Sequence, residues 1–159
     1  MSKTLITLVA IGNQNVADDG IGLYILETIQ DKLSDDIDVR FWENKDALSI
    51  TAELLEIKTP IVIVDCADMG LKGGEFRWFE QSECQLAQQT DIISTHSFGF
   101  SDALALAETL GFKQAVFFFA IQPMQLEVKN EISPFLVANK TEYEKSLLTQ
   151  LEKLKNKLS

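Results

Sequence analysis

Ile61-Val62-Ile63-Val64-Asp65-Cys66-Ala67-Asp68-Met69-Gly70 reads as an apolar strand followed by a loop that opens on a carboxylate. An apolar run without polar alternation marks a strand covered on both faces, which implies a parallel sheet with helices on each side. Leu5 to Ile11 and Ala115 to Ile121 have the same character, the latter closed by Gln122-Pro123. These three runs are expected to be the central strands.

The segments between them carry helical spacing. Ile21, Ile25, Ile29 and Leu33, with Leu26 alongside, form one apolar stripe that ends at Ser34-Asp35-Asp36. Val39 to Trp42 is a short strand, and Ala47 to Ile57 a helix stopped by Lys58-Thr59-Pro60. Gly73-Gly74 introduces an alternating strand, Glu75 to Phe79, expected at a sheet edge. Asp102 to Leu110 is helical, with Gly111 as its stop. A closing helix from Lys140 to Lys157 puts Leu147, Leu148, Leu151 and Leu154 on one face, with Glu142, Glu144 and Glu152 expected in solvent. Strands alternating with helices predict a three-layer α/β/α sandwich around a twisted, mainly parallel sheet. No linker or repeat divides residues 1–159, so one domain is expected.

Composition narrows the function classes. The chain has 159 residues, 46% hydrophobic and 24% charged, with a formal charge of −10. Such a surface repels phosphate backbones and anionic lipid, which disfavours nucleic-acid and membrane-surface roles. Cys66 and Cys84 have neither C-x-x-C spacing nor a disulfide framework. The apolar run near Met1 is too short for a secretory signal and no run is long enough to span a bilayer, so a cytoplasmic location is expected.

Chemistry-bearing residues fall where strands hand over to loops. Asp19 lies in the loop after the first strand, Asp65 closes the Ile61–Val64 run, and His96, the sole histidine, stands in Ser94-Thr95-His96-Ser97-Phe98-Gly99. Loops leaving the carboxyl ends of strands in an open α/β sheet converge on one crevice. Two carboxylates and an imidazole meeting there offer an O,O,N donor set for a borderline divalent metal. Each residue also has a plainer role open to it. One of Asp18 and Asp19 is expected to cap the next helix, Asp68 to bind turn N–H groups, and Cys66 to be a small buried thiol. The segment from Gly12 to Gly22 is glycine-rich, but its spacing is wrong for a dinucleotide fingerprint. Its two aspartates would repel a pyrophosphate at the helix N-terminus.

Assembled in order, these segments resemble the hydrogenase maturation endopeptidases, which trim the C-terminal tail from the large-subunit precursor of nickel–iron hydrogenases. The motifs are Gly12-Asn13 with Asp18-Asp19-Gly20-Ile21-Gly22, then Ile63-Val64-Asp65 with Asp68-Met69-Gly70-Leu71 and Gly74-Glu75, then Ser94-Thr95-His96, then Ile121-Gln122-Pro123. The resemblance implies a functional trio of Asp19, Asp65 and His96, serving both catalysis and metal engagement in an aspartic-type endopeptidase. It implies nickel, delivered in the substrate and replaceable by other divalent cations, and the precursor as partner. The chain departs from the family at Trp42-Glu43-Asn44-Lys45-Asp46-Ala47-Leu48, where many members carry an acidic-Gly-Gly-Thr/Ser segment associated with substrate or metal handling. The alternative expectation is a non-catalytic, metal-dependent binding protein that grips the nickel-loaded precursor without cutting it.

Overall fold

The sheet is built from β1 (Ile6–Gly12), β2 (Ile37–Glu43), β3 (Ile61–Asp68), β4 (Phe76–Glu80), β5 (Ile93–Ser94) and β6 (Val116–Ile121). The computed structural model describes residues 3–13, 16–83, 93–94, 97–124 and 131–158. The main sheet has the order β2-β1-β3-β6-β4, and β5 pairs with β3. β2, β1, β3 and β6 run parallel, while β4 is antiparallel to β6 and β5 to β3. The helices are α1 (Ile21–Ile29), α2 (Ala47–Glu56), α3 (Ser97–Thr109), α4 (Pro134–Ala138) and α5 (Lys140–Leu158).

Side-chain alternation along the strands divides the core into two layers. Leu8, Val62, Val64 and Phe119 pack with Ile21 and Ile25 of α1 and with Leu147 and Leu151 of α5. Val9, Ile11, Ile61 and Ile63 pack with Ile50 and Leu54 of α2 and with Phe100 and Leu104 of α3. Each fully buried aliphatic or aromatic side chain contributes about 1.5–3 kcal/mol, so neither helix layer is dispensable. The edge strand β4 is held by rings as well as by its ladder. Phe76 stacks on Phe119 at 5.3 Å, Trp78 on Phe117 at 5.4 Å and Phe79 on Phe118 at 5.2 Å between centroids. No helix among the described residues is long and apolar enough to cross a membrane.

The three-layer sandwich, the central strands and the edge position of the Gly73-Gly74 strand agree with the sequence. Three features differ. β3 runs on through Asp68, because β6 pairs with Asp65 and Cys66 and β5 pairs with Ala67 and Asp68. Asp65 is thus inside a strand rather than at the head of a loop. α3 starts at Ser97, ahead of the expected Asp102. Glu144, expected in solvent with Glu142 and Glu152, is instead buried in α5 at 7% exposure, where the Thr28 hydroxyl of α1 donates to its carboxylate. A polar partner on the facing helix makes a buried carboxylate tolerable where the helical pattern alone would turn it outward.

Tyr143 joins α5 to the loop before β4: its hydroxyl donates to the Gly74 carbonyl at 2.6 Å, and the residue is 1% exposed. Tyr143→Phe leaves that carbonyl without its partner and is expected to cost about 1–3 kcal/mol in urea unfolding at neutral pH. Burial, then the charge of Asp18, pushes the phenol from 10.0 up to about 12. The folded state therefore keeps this proton longer than the unfolded chain does. The resulting stabilisation is full below pH 10.0 and is lost as pH rises towards about 12. Tyr143→Phe should flatten that part of the alkaline stability profile.

Candidate functional site

The connections that follow β1 and β3 leave to opposite sides in the strand order, and at such a switch point a crevice is expected at the carboxyl ends of β1 and β3. A 3-10 turn, Ala17–Gly20, lies across these ends and carries Asp18 and Asp19, both buried. Two glycines permit the approach. A Cβ on Gly12, the last residue of β1, would sit 2.6 Å from the Asp19 carbonyl oxygen. A Cβ on Gly22, in the first turn of α1, would sit 2.7 Å from the carbonyl oxygen of Val64, the residue before Asp65. Both contacts are with main chain, which cannot swing aside.

Asp19 is 2% and Asp65 3% exposed. One Asp65 oxygen accepts the Cys66 N–H at 2.7 Å. Burial raises the Cys66 thiol pKa most, and the charges of Asp65, Asp19, Asp18 and Asp68, in that order, raise it further. Asp65 stands in β3, and the close contacts of Gly12 and Gly22 lay the turn that carries Asp19 against the ends of β1 and β3. Cys66 itself is the small buried thiol that its sequence context suggests.

The other carboxylates have structural partners. The N-cap of α1 is Gly20, without a side-chain bond, so neither aspartate caps that helix. Asp18 instead accepts from the Met124 N–H at 2.7 Å, the Ser133 N–H at 2.6 Å and the Ser133 hydroxyl at 2.9 Å. Nothing in the local pattern announces this, because the donors lie more than a hundred residues further along the chain (the separation from Ser133 is 115). Asp68 accepts from the Gly70 N–H at 3.1 Å, the turn role expected for it, and from the Gln122 side-chain amide at 3.1 Å. The two bonds hold its carboxyl below the usual range, the Gln122 bond foremost. Gln122 also accepts the N–H groups of Met69 at 2.7 Å and Leu71 at 3.3 Å. The Gln122-Pro123 motif thus braces the loop after β3 as a scaffold, with Gln122 7% exposed.

The Trp42–Leu48 stretch is shaped without glycine. Asn44 adopts φ +55, in the left-handed region that asparagine tolerates better than other residues with a Cβ. Asp46 caps α2 through the Ser49 N–H at 2.8 Å. Trp42 is buried and donates its indole N–H to Glu53 at 3.2 Å, and Lys45 pairs with the same carboxylate at 2.7 Å.

His96 and Cys84 lie outside the described residues. Among the described residues no cluster of three His, Cys, Asp or Glu side chains suits a metal ion. On either side of His96 the backbone is described: Ser94 pairs with Ala67, two positions past Asp65, and α3 begins at Ser97.

A sequence model described as hydrogenase maturation protease matches residues 46–150. The chain belongs to the hydrogenase maturation protease family. The matched span includes Asp65 and His96, while the glycine-bounded turn with Asp19 precedes it. Curated relatives of this family member include a hydrogenase expression/formation protein of Azotobacter vinelandii, 25% identical over 80% of this chain and 62% of its own length. A counterpart in Thiocapsa roseopersicina is 26% identical over 77% of this chain and 56% of its own length. The chain thus spans about six-tenths of the curated relatives it matches. Among solved structures, the nickel–iron hydrogenase maturation protease HybD of Thermococcus kodakarensis superposes with a TM-score of 0.74 at 23% identity, over 92% of this chain and 99% of that one. The hydrogenase maturating endopeptidase HybD of E. coli gives 0.76 at 17% identity, over 94% and 93%. These likenesses establish that the fold is shared.

Two outcomes are expected of the site's packing. Gly12→Ala drives a methyl against the Asp19 backbone and should destabilise by about 1–3 kcal/mol in denaturant unfolding, as overpacking does. In a Cys84→Ser background, Cys66 should resist iodoacetamide at pH 8 in the native protein and react once the chain is unfolded. Rapid native-state alkylation would contradict the burial and the charge environment described here.

Proposed function

We propose that this protein is an endopeptidase that removes the C-terminal extension of a nickel–iron hydrogenase large-subunit precursor after nickel insertion, with Asp19, Asp65 and His96 as its functional trio. The observation that carries this assignment is the burial of two carboxylates in a chain of this family, Asp65 within β3 and Asp19 on the turn that Gly12 and Gly22 admit onto the ends of β1 and β3. The pairing of Ser94 with Ala67 supports the inclusion of His96, because it ties the chain before that residue to the end of the same strand.

The donor chemistry suits the nickel of the substrate. Carboxylates and an imidazole are ligands a borderline divalent ion accepts, and other divalent cations are expected to substitute. When bound, the ion supplies Lewis acidity at the scissile carbonyl and acidifies water. Asp19 and Asp65 orient the nickel-bearing end of the precursor in the crevice, and burial strengthens their field there. Hydrolysis also needs a group to take a proton from the attacking water and return one to the leaving amine. A member of the trio fills that role, which makes the enzyme aspartic-type if a carboxylate does so. The net charge of −10 fits a cytoplasmic protein that works on another protein and not on nucleic acid or a lipid surface.

The rival role, gripping the loaded precursor without cutting it, drew on the missing glycines at Trp42–Leu48. The left-handed Asn44 weakens it, since the turn is made without them. A cleavage assay on nickel-loaded precursor, read as mass loss at its C-terminus, separates the two roles: release of the tail supports the endopeptidase, and tight binding without release supports the rival.

Asp65→Asn keeps the oxygen that accepts the Cys66 N–H and removes the charge. Cleavage should fall by about a hundredfold or more, with no loss of melting temperature, because the retained amide oxygen still accepts the Cys66 N–H. His96→Ala should weaken nickel engagement most, as the loss of the one nitrogen donor. Melting with and without nickel checks this: wild type gains stability with the ion, and the Asp19→Asn, Asp65→Asn and His96→Ala variants gain less. Wild-type cleavage by Asp65→Asn would refute the assignment.

A further inference from the structure

We propose that Asp18 is a positioning residue: its carboxylate ties Met124 and Ser133 to the turn that carries Asp19, and by doing so it fixes where the Asp19 carboxylate stands relative to Asp65. This inference rests on the endopeptidase function proposed above. Asp18 is 0% exposed. A buried carboxylate is tolerable only with strong donors, and Asp18 has them on both oxygens. Oδ1 takes the Ser133 N–H at 2.6 Å, and Oδ2 takes the Met124 N–H at 2.7 Å and the Ser133 hydroxyl at 2.9 Å. These donors turn Asp18 away from a direct part in the reaction. The chain before and after residues 125–130 is thereby fastened to one side chain.

The turn needs such a fastening. Ala17 enters it at φ +31, a conformation that a residue with a Cβ holds only when its surroundings enforce it. The Asp19 N–H closes the turn on the Val16 carbonyl at 2.8 Å, and Gly12 leaves no slack behind the Asp19 carbonyl. In a 3-10 turn successive side chains diverge by about a third of a revolution. Asp18 can therefore grip Met124 and Ser133 while Asp19 faces elsewhere, and whatever shifts Asp18 shifts Asp19 with it. Ser133 is nine-tenths or more buried and precedes Pro134, the first residue of α4. Its hydroxyl serves Asp18 and does not cap that helix.

The test compares wild type, Asp18→Asn and Ser133→Ala on nickel-loaded precursor, with amide hydrogen exchange measured at Asp19 and at Leu8 in β1. Asp18→Asn preserves shape, but whichever way the amide turns, one of the two main-chain N–H groups faces an NH2 and loses its acceptor. For Asp18→Asn we expect kcat to fall by about tenfold to a hundredfold, and the stability gained with nickel to shrink as it does in Asp19→Asn, since a displaced Asp19 no longer orients the nickel-bearing end. Ser133→Ala removes only the hydroxyl bond and should lower kcat by about twofold to fivefold. Exchange at Asp19 should quicken in Asp18→Asn and stay unchanged at Leu8. A folded Asp18→Asn with wild-type kcat overturns the proposal. If that variant fails to fold, Ser133→Ala decides, and wild-type kcat there overturns it equally. If wild type itself does not cut the precursor, the endopeptidase function fails, and hydrogen exchange alone then judges Asp18. Quickened exchange at Asp19 sustains the coupling, and unchanged exchange ends it.

Discussion

Close contact of main chain with main chain, at two positions where no side chain intervenes, governs how this site is assembled. The 3-10 turn at Ala17–Gly20 rests on the ends of β1 and β3 because Gly12 and Gly22 leave room for the carbonyls of Asp19 and Val64. Such contacts are rigid in a way side-chain packing is not, since a peptide group has no rotamer to change. The sheet order adds the crevice, and the glycines put the turn at its mouth. The acidity of the crevice then follows from which residues happen to stand on that turn and at the end of β3.

Four carboxylates bear on Cys66, yet they have different tasks, and their partners reveal which is which. Asp18 is committed to the Met124 and Ser133 donors, and Asp68 to Gln122 and Gly70. Asp65 spends one oxygen on its own neighbour's N–H. The bonds of Asp18 and Asp68 thus mark these two acids as scaffold at a site where charge alone does not. Gln122 belongs to the scaffold in the same sense, bracing the loop after β3 from the end of β6.

Much of this was legible in the sequence. The apolar runs at Leu5–Ile11, Ile61–Val64 and Ala115–Ile121 required a two-faced parallel sheet, and the burial of Leu8, Val62 and Phe119 in one layer agrees. The sequence singled out Asp65 because a carboxylate on an apolar run has no packing explanation, and the structure finds both Asp65 and Asp19 buried. What stayed hidden depends on distant partners. The continuation of β3 to Asp68 needs β5 and β6, the burial of Glu144 needs Thr28, and the task of Asp18 needs Ser133. Periodicity describes one element at a time, so it turned Glu144 outward and made a helix cap out of Asp18 or Asp19.

The placement of β6 between β3 and β4 also bears on how the molecule is born. Among the described residues β4 pairs in the main sheet with β6 alone, although β6 follows it in the chain, so β4 must wait for a strand not yet synthesised. Asp18 waits longer still, for a serine 115 residues away. Contacts this distant in sequence form late, after the entropy of closing the long intervening chain has been overcome. On the ribosome, the acidic crevice would therefore be completed only after Ser133 has emerged. A chain that stops short of Ser133 would hold the aspartates without their geometry.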